Sequence, residues 1–331
     1  MAKTVARKTR TFSDVDPSTI VRPQVFAVGL YGYTGTGKTK SALELATGIL
    51  RVYGGDLFFA DADGGRGLHF RKSYPGMRYI DFPAPHNALD YADLIASYEH
   101  KRGVLVIDQM THEHDGEDGL LDTHAAEKER RGGDDSKNAV AWALAKSQHK
   151  TLARTVRRVI QSLPLVICWR AQDKTNWNNR EEGKVKPVAL GEMPIGSMDL
   201  PFEMTATYLL PVGSRGVPCL RPDAPGEKLM TKIPDQFLGI VRPDEQFCAD
   251  HGEAMARWAM EPCKPFYRLM FAIERATAEN IDAIAEECKA NVKAHAVTPQ
   301  EATKLSAASL ARRDAIAGQS AKVGAGATQG E

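Results

Sequence analysis

The 331-residue chain has few cysteines, no long apolar run and almost no net charge. Its five cysteines are scattered without a CxxC pair, which argues against a disulfide framework or a cysteine zinc site. No apolar run approaches a membrane span in length, and no apolar signal core follows the basic residues at the start of the chain. We therefore expect a protein of a reducing compartment, the cytoplasm, with no membrane partner.

Acidic residues are also missing from one long stretch, residues 137–172. Basic residues recur there every four positions, a spacing that places them in one stripe along a helix. We call this set the basic stripe, and its members are Lys146, Lys150, Arg154 and Arg158. The helix face opposite the stripe is predicted to be apolar, formed by Val140, Leu144, Leu152, Val156, Val159 and Ile160. The stripe faces a DNA backbone, the acidic segment 113–135, a neighbouring subunit or only solvent, and the sequence leaves these four interpretations open.

The strongest motif lies at residues 32–39, which match the P-loop pattern GxxxxGK[ST] in full. An apolar run precedes the motif and a helical pattern follows it, which is the strand–loop–helix context that a P-loop requires. Lys38 is expected to reach the β- and γ-phosphates of ATP, and the Thr39 hydroxyl to hold Mg²⁺. The residues predicted to bind the nucleotide here are Gly32, Thr34, Gly35, Thr36, Gly37, Lys38, Thr39 and Lys40.

Two later apolar strands end in carboxylates. Residues 103–108 form a predicted buried strand that ends at Asp108, which fits a Walker B strand whose acid helps to hold Mg²⁺. Residues 56–63 form another, which ends in the two carboxylates of Asp61 and Asp63 just before two glycines. Asp63 is predicted to orient or deprotonate the attacking water, with Asp61 as the competing candidate.

The sequence Phe-Phe-Ala-Asp-Ala-Asp at residues 58–63 resembles the strand of RecA-type ATPases that ends Asp-Ala-Glu, whose glutamate is the general base. Here Asp63 stands at that place with a side chain one methylene shorter. The wider pattern over residues 20–240 resembles phage RecA-like AAA-family ATPases associated with single-strand annealing and recombination. The resemblance implies an α/β fold with a mostly parallel RecA-like sheet, and, for a phage protein, the cytoplasm of a bacterial host.

The strand predicted at residues 165–172 ends in polar residues. In RecA-like sheets a residue at this position senses the γ-phosphate, a role that the resemblance gives to Gln172 or Arg170. Beyond this strand, Trp177 either stacks on a base or fills a satellite hydrophobic contact, and we favour the second interpretation. The polar segment 111–138 is predicted to be a long functional loop. His112, His114 and Asp115 within it are a weak candidate metal site.

The rest of the chain predicts an extension of the sheet and then a helical region. Residues 207–212, 217–221 and 228–233 are predicted antiparallel strands. Four basic residues among them are candidates for a cation that reaches the γ-phosphate of a neighbouring subunit, namely Arg215, Arg221, Lys228 and Lys232. We predict a mobile basic N-terminus at 1–20, an ATPase domain at 21–242, a helical region at 243–317 and a disordered tail at 318–331.

Taken together, these features predict an ATPase that binds ATP with Mg²⁺ and acts on single-stranded DNA in phage-type recombination or annealing. Two alternatives remain, an ATP-driven packaging or translocation motor on duplex DNA and a nucleotide-gated assembly module with slow hydrolysis. A homo-oligomer is compatible with each of them.

Overall fold

A computed structural model describes residues 25–181, 184–260 and 265–326. These residues form a mostly parallel sheet with helices on both faces and a helical C-terminal region, which confirms the α/β RecA-like fold predicted from the sequence. The predicted mobile N-terminus at 1–20 and the last five residues of the predicted tail, 327–331, lie outside the described residues.

The described residues form nine strands and twelve α-helices. The strands are β1 (Ala27–Gly32), β2 (Asp56–Asp61), β3 (Met77–Asp81), β4 (Gly103–Asp108), β5 (Leu165–Asn176), β6 (Arg180–Glu181), β7 (Lys184–Val185), β8 (Val188–Pro194) and β9 (Ala206–Leu209). The helices are α1 (Lys38–Tyr53), α2 (Ala88–Tyr98), α3 (His112–Asp115), α4 (Leu120–Arg130), α5 (Asn138–Val159), α6 (Asp199–Glu203), α7 (Pro225–Met230), α8 (Asp235–Leu238), α9 (Ala249–Met260), α10 (Pro265–Arg275), α11 (Ile281–Lys293) and α12 (Pro299–Gly326).

The strand order of the main sheet among the described residues is β3-β2-β4-β5-β1-β9, and every neighbouring pair in this order is parallel. β8 joins antiparallel to the outer half of β5. Parallel strands end at a common edge of the sheet, and the register places Gly32 beside Arg170 and Asp61 beside Asp108. The sheet thus collects the P-loop and three polar strand ends along one edge, where α/β proteins bind their ligands.

The central strands are continuous apolar runs because both of their faces are covered. Side chains of α2 and α5 cover one face, with Tyr91 and Leu152 fully buried against the sheet. The other face is covered by α1 and α9. These two helices touch at glycines, since a Cβ on Gly48 would overlap the carbonyl oxygen of Ala249. The first C-terminal helix is therefore packed directly on the helix that follows the P-loop.

The remaining C-terminal helices, α10 to α12, have a small core of their own around Leu269, Ile273 and Leu305. Their positions agree with the helical pattern of the sequence. The last helix continues to Gly326, beyond the predicted start of the tail at 318. The domain boundaries proposed above remain predictions. Within the described residues, every helix is too short or too polar to span a bilayer.

Three local predictions for the middle of the chain are wrong in whole or in part. β9 is parallel to β1, and among the described residues the predicted antiparallel pairing is limited to two isolated bridges, Thr207 with Lys232 and Leu209 with Cys219. The first half of the predicted strand at 228–233 belongs to the helix α7, because Pro225 occupies the first helical turn and favours helix over strand. The polar segment 111–138 is not a long loop but carries α3 and α4. Its Ala, Glu, Lys and Arg residues are good helix formers, and α4 packs on α5.

Candidate nucleotide site

The P-loop joins β1 to α1 and has the backbone shape that a phosphate cradle needs. Gly35 and Gly37 have φ values of 84° and 97°, in the left-handed region that favours glycine. The side chain of Lys38 is buried, and its Nζ donates hydrogen bonds to the carbonyl oxygens of Gly32 (2.8 Å) and Tyr33 (2.7 Å). Burial lowers the pKa of Lys38. The lysine is thus held at the first residues of the loop.

The other predicted loop residues divide by exposure. Thr34, Gly35 and Lys40 are exposed, so these residues are accessible to a ligand. Thr36 is buried and its hydroxyl donates to the carbonyl oxygen of Tyr33 (2.9 Å), so its side chain supports the loop itself.

Thr39 and Asp108 meet at the start of α1. The Thr39 hydroxyl donates to Oδ2 of Asp108 at 2.5 Å. Burial raises the pKa of Asp108, and the hydrogen bond from Thr39 and the charge of Lys38 oppose this effect. Mg²⁺ prefers oxygen ligands of this kind, and one hydroxyl with one carboxylate leaves room for phosphate oxygens and water in its shell. The residues present therefore fit the predicted Mg²⁺ site.

The two carboxylates after β2 have different surroundings. Asp61 is buried, and its oxygens accept hydrogen bonds from the amides of Asp63 (2.8 Å) and Gly67 (2.7 Å) and from the hydroxyl of Tyr79 (3.0 Å). Asp61 therefore fixes the turn in which Asp63 lies. Asp63 is partly exposed and faces the sheet edge, which makes it the better candidate of the two for contact with a water molecule.

Arg170 at the end of β5 contacts Asp63. Its Nη2 lies 2.6 Å from Oδ1 of Asp63, and its Cα lies level with Gly32. The amide of Gln109 donates to the same carboxylate oxygen (3.2 Å), and Arg66 donates to the other one (3.0 Å). The side chain of Gln172 is exposed and makes no hydrogen bond with any described residue. Of the two predicted phosphate sensors, Arg170 is therefore the one in contact with the site.

The weak metal prediction on α3 gains no support from the geometry. The ring of His112 stacks on His86 at a centroid distance of 5.2 Å, and its Nε2 lies 3.3 Å from the Gln109 amide nitrogen. Burial lowers the pKa of His112 and of His114. In the part of the chain that the structure describes, neither histidine belongs to a cluster of metal-binding side chains.

Residues 26–193, about half of the chain, match the AAA domain family. The chain belongs to this family of AAA-domain P-loop ATPases. The matched range begins at β1 and ends in β8, so it contains the P-loop and all the strand ends described above. Nucleotide binding at the P-loop follows from this membership.

Among the solved structures similar to this AAA-domain chain is a KaiC-like protein, PH0186, from the hyperthermophilic archaeon Pyrococcus horikoshii OT3. The identity is 15%, the alignment covers 57% of this chain and 72% of that chain, and the TM-score is 0.29. The likeness is distant. A comparison with curated proteins finds no match.

β5 extends beyond its parallel neighbours and pairs with β8 to form an arm on the AAA domain, residues 171–194 without 182 and 183. We call it the β5–β8 arm. It is tied to the P-loop, because the Tyr33 hydroxyl donates to Oδ2 of Asp173 (3.0 Å) and accepts a hydrogen bond from the Asp173 amide (2.9 Å). Trp177 on the arm is 67% exposed, so the satellite hydrophobic contact favoured above is wrong.

The basic stripe lies on the exposed face of α5. Arg158 pairs with Glu99 (3.2 Å), and Lys146 lies over the ring of Trp142. Lys150 and Arg154 have no ion pair with any described residue, so the segment 113–135 does not neutralise them. The predicted apolar face of α5 is partly wrong. Val140 and Leu144 are exposed. In this part of α5 the buried side chains are instead those of Ala141, Ala145 and His149.

Sequence reasoning missed the two contacts that link distant segments to the site. The first is the ion pair between Arg170 and Asp63, and the second is the pair of hydrogen bonds between Tyr33 and Asp173. The signal for the first was a basic residue at the end of a strand next to the P-loop strand. For the second, it was an aromatic residue at a variable position of the P-loop.

Proposed function

We propose that this protein hydrolyses ATP and acts on single-stranded DNA, in phage-type recombination or annealing. The observation that carries the ATPase part is the convergence of Lys38, Thr39 and Asp108 at the sheet edge. A lysine, a hydroxyl and an acid of this kind are the groups that a P-loop ATPase uses to bind phosphate and Mg²⁺. The DNA part rests on exposed groups suited to a single strand, discussed below.

In the proposed reaction, backbone N–H groups of the P-loop and the ammonium of Lys38 bind the phosphates. Thr39 and Asp108 would hold Mg²⁺, which neutralises phosphate charge when it is bound. Asp63 orients a water molecule toward the γ-phosphorus and accepts its proton as the new P–O bond forms. The bond between the γ-phosphorus and the β–γ bridging oxygen breaks, and ADP leaves with that oxygen.

Arg170 is assigned a second role in this scheme. Its guanidinium lies within reach of both the P-loop and Asp63, so it can neutralise charge that develops on the γ-phosphoryl oxygens. When it turns to the phosphate, it vacates one hydrogen-bonding position on Oδ1 of Asp63, which can then accept a hydrogen bond from water. The same movement would report the presence of a γ-phosphate to β5 and its arm.

Two exposed features support a single-stranded polyanion as partner. Lys150 and Arg154 offer charges that no described acid neutralises, and phosphates would relieve their repulsion. The exposed ring of Trp177 offers a surface on which an unpaired base can stack. A single strand presents unpaired bases, whereas the bases of a duplex are paired and stacked on one another. Tyr33 lies in the P-loop and is hydrogen-bonded to Asp173 on the arm. A change in the P-loop on nucleotide binding can therefore alter the position of the arm.

A salt titration of DNA binding tests the proposal. Replacement of Lys150 and Arg154 by Gln should weaken binding of a labelled single strand and reduce the log–log salt slope by about 1.4, roughly 0.7 for each phosphate contact. The matched control replaces Lys293 and Lys304, exposed lysines of the C-terminal helices, and should leave the slope unchanged. Equal slopes for all three proteins would contradict a DNA role for the stripe.

A further inference from the structure

A loop from the β9 side of the sheet rests directly on the P-loop. After β9 the chain passes Gly32 so closely that a Cβ on this glycine would overlap the carbonyl oxygen of Leu210. At the other end of the P-loop, a Cβ on Gly37 would lie only 2.7 Å from the amide nitrogen of Gly216. We call residues 211–216 the flanking loop, and it runs along the P-loop from its first glycine to its last.

Hydrogen bonds hold the flanking loop in this position. The Ser214 hydroxyl donates to the carbonyl oxygen of Thr36 (3.4 Å), on the P-loop itself. The carbonyl oxygen of Gly216 accepts from the amide of Phe247 (3.1 Å), just before α9. The loop is therefore attached both to the P-loop and to the helix layer beneath it.

Arg215 stands at the outer side of this loop in an unusual backbone conformation. Its φ is 52°, in the left-handed region where residues with a side chain are strained. Its side chain is exposed and makes no hydrogen bond or ion pair with any described residue. Val212, in the same loop, is also largely exposed. The loop thus presents a free guanidinium and an apolar side chain beside the phosphate cradle.

The sheet order fixes which end of a nucleotide would meet these groups. β1 lies between β5 and β9, and the polar strand ends assigned to Mg²⁺ and the γ-phosphate, Asp108 and Arg170, lie on the β5 side. The flanking loop lies on the opposite, β9 side. A nucleotide that places its γ-phosphate toward β5 therefore extends its nucleoside toward the flanking loop.

We propose that the flanking loop is the nucleoside subsite of its own subunit, and that Arg215 stacks on the base of the bound nucleotide. A guanidinium is planar and packs on aromatic faces, and the side chain of Val212 adds apolar contact at the ring edge. This inference rests on the proposed binding of ATP at the P-loop. It also changes the role considered for Arg215, from a cation directed at a neighbouring subunit to a contact within one subunit.

Calorimetry with ADP and with inorganic triphosphate separates the base from the phosphates. Arg215→Gly removes the side chain at a φ that suits glycine, so the melting temperature should not fall. Loss of a base stack predicts a Kd for ADP that is roughly tenfold higher, while the Kd for triphosphate stays the same within about twofold. Arg242→Ala, at an exposed arginine to which no role is assigned, is the matched control and should retain the wild-type Kd for ADP.

Two results would overturn the inference. Equal losses of affinity for ADP and triphosphate would make Arg215 a phosphate ligand. An unchanged Kd for ADP, with slower hydrolysis that depends on protein concentration, would make it a cation that acts on a neighbouring subunit. Failure of the wild-type protein to bind ADP at all would instead contradict the proposed function, so the two failures are distinguishable.

Discussion

Arg170 is the side chain whose removal tests the arrangement at the end of β5 most sharply. Its ion pair with Asp63 is short, 2.6 Å, but the two side chains are 33% and 22% exposed. Solvent screens a pair of this kind, so it contributes at most about 1 kcal/mol to folding. Arg170→Ala should therefore lower the melting temperature by only about 2 °C, and the protein should remain folded for kinetic measurements.

The effect on hydrolysis should be much larger. Loss of one preorganised donor from a transition state typically costs about 3–4 kcal/mol, so kcat should fall by roughly 10²–10³. ADP has no γ-phosphate for Arg170 to contact, and its Kd should change by less than about threefold, equivalent to about 0.7 kcal/mol. Phosphate release at saturating ATP and calorimetry with ADP measure the two quantities.

Arg66 provides a matched control because it pairs with the other oxygen of the same carboxylate, at 3.0 Å, but is 64% exposed and lies in the turn after β2. Arg66→Ala should change kcat by less than about threefold, as expected for loss of a surface pair. The proposed role of Arg170 is refuted if Arg170→Ala hydrolyses ATP at close to the wild-type rate. It is also refuted if both variants slow the reaction equally.

Two further predictions concern the P-loop and its helix. Lys38→Ala should abolish ATP hydrolysis and weaken ATP binding, because the lysine is the main point charge on the phosphates, and wild-type turnover in this variant would exclude the assigned site. Gly48→Ala should destabilise the protein by about 2 kcal/mol, since the added methyl overlaps the carbonyl of Ala249 on α9. Gly318→Ala is the control, because a Cβ at this position of α12 would contact no described residue; its free energy of unfolding should be unchanged or higher by up to about 1 kcal/mol. Thermal unfolding measures both variants, and equal destabilisation by the two would contradict close packing of α9 on α1.

The fold and the backbone shape of the P-loop could be predicted from the sequence because their signals are local. A strand covered on both faces must be a continuous apolar run, and a tight phosphate loop needs glycine where φ is positive. Asp108 was predicted to help hold Mg²⁺ because it ends such a run after a complete P-loop, and this role stays a prediction. These features depend on neighbours in the chain, so a single sequence displays them.

The remaining features depend on residues that are distant in sequence. The ion pair between Asp63 and Arg170 forms because only one strand, β4, lies between β2 and β5, and the ends of these parallel strands meet at one edge of the sheet. Trp177 is exposed because β5 extends beyond its parallel neighbours and pairs there with β8. The amino-acid pattern of β5 does not specify how long this strand is. The close approach of the flanking loop follows from β9 lying beside β1. No periodicity in the sequence records these arrangements.

The rate of phosphate release by the purified protein, measured without DNA, with a single-stranded oligonucleotide and with the matching duplex, tests the central claim most directly. We expect turnover that Lys38→Ala lacks, and a larger stimulation by the single strand than by the duplex. Turnover that never exceeds the Lys38→Ala background would contradict the assignment of an ATPase. Stimulation by the duplex alone would contradict single-stranded DNA as the partner and favour a motor on double-stranded DNA.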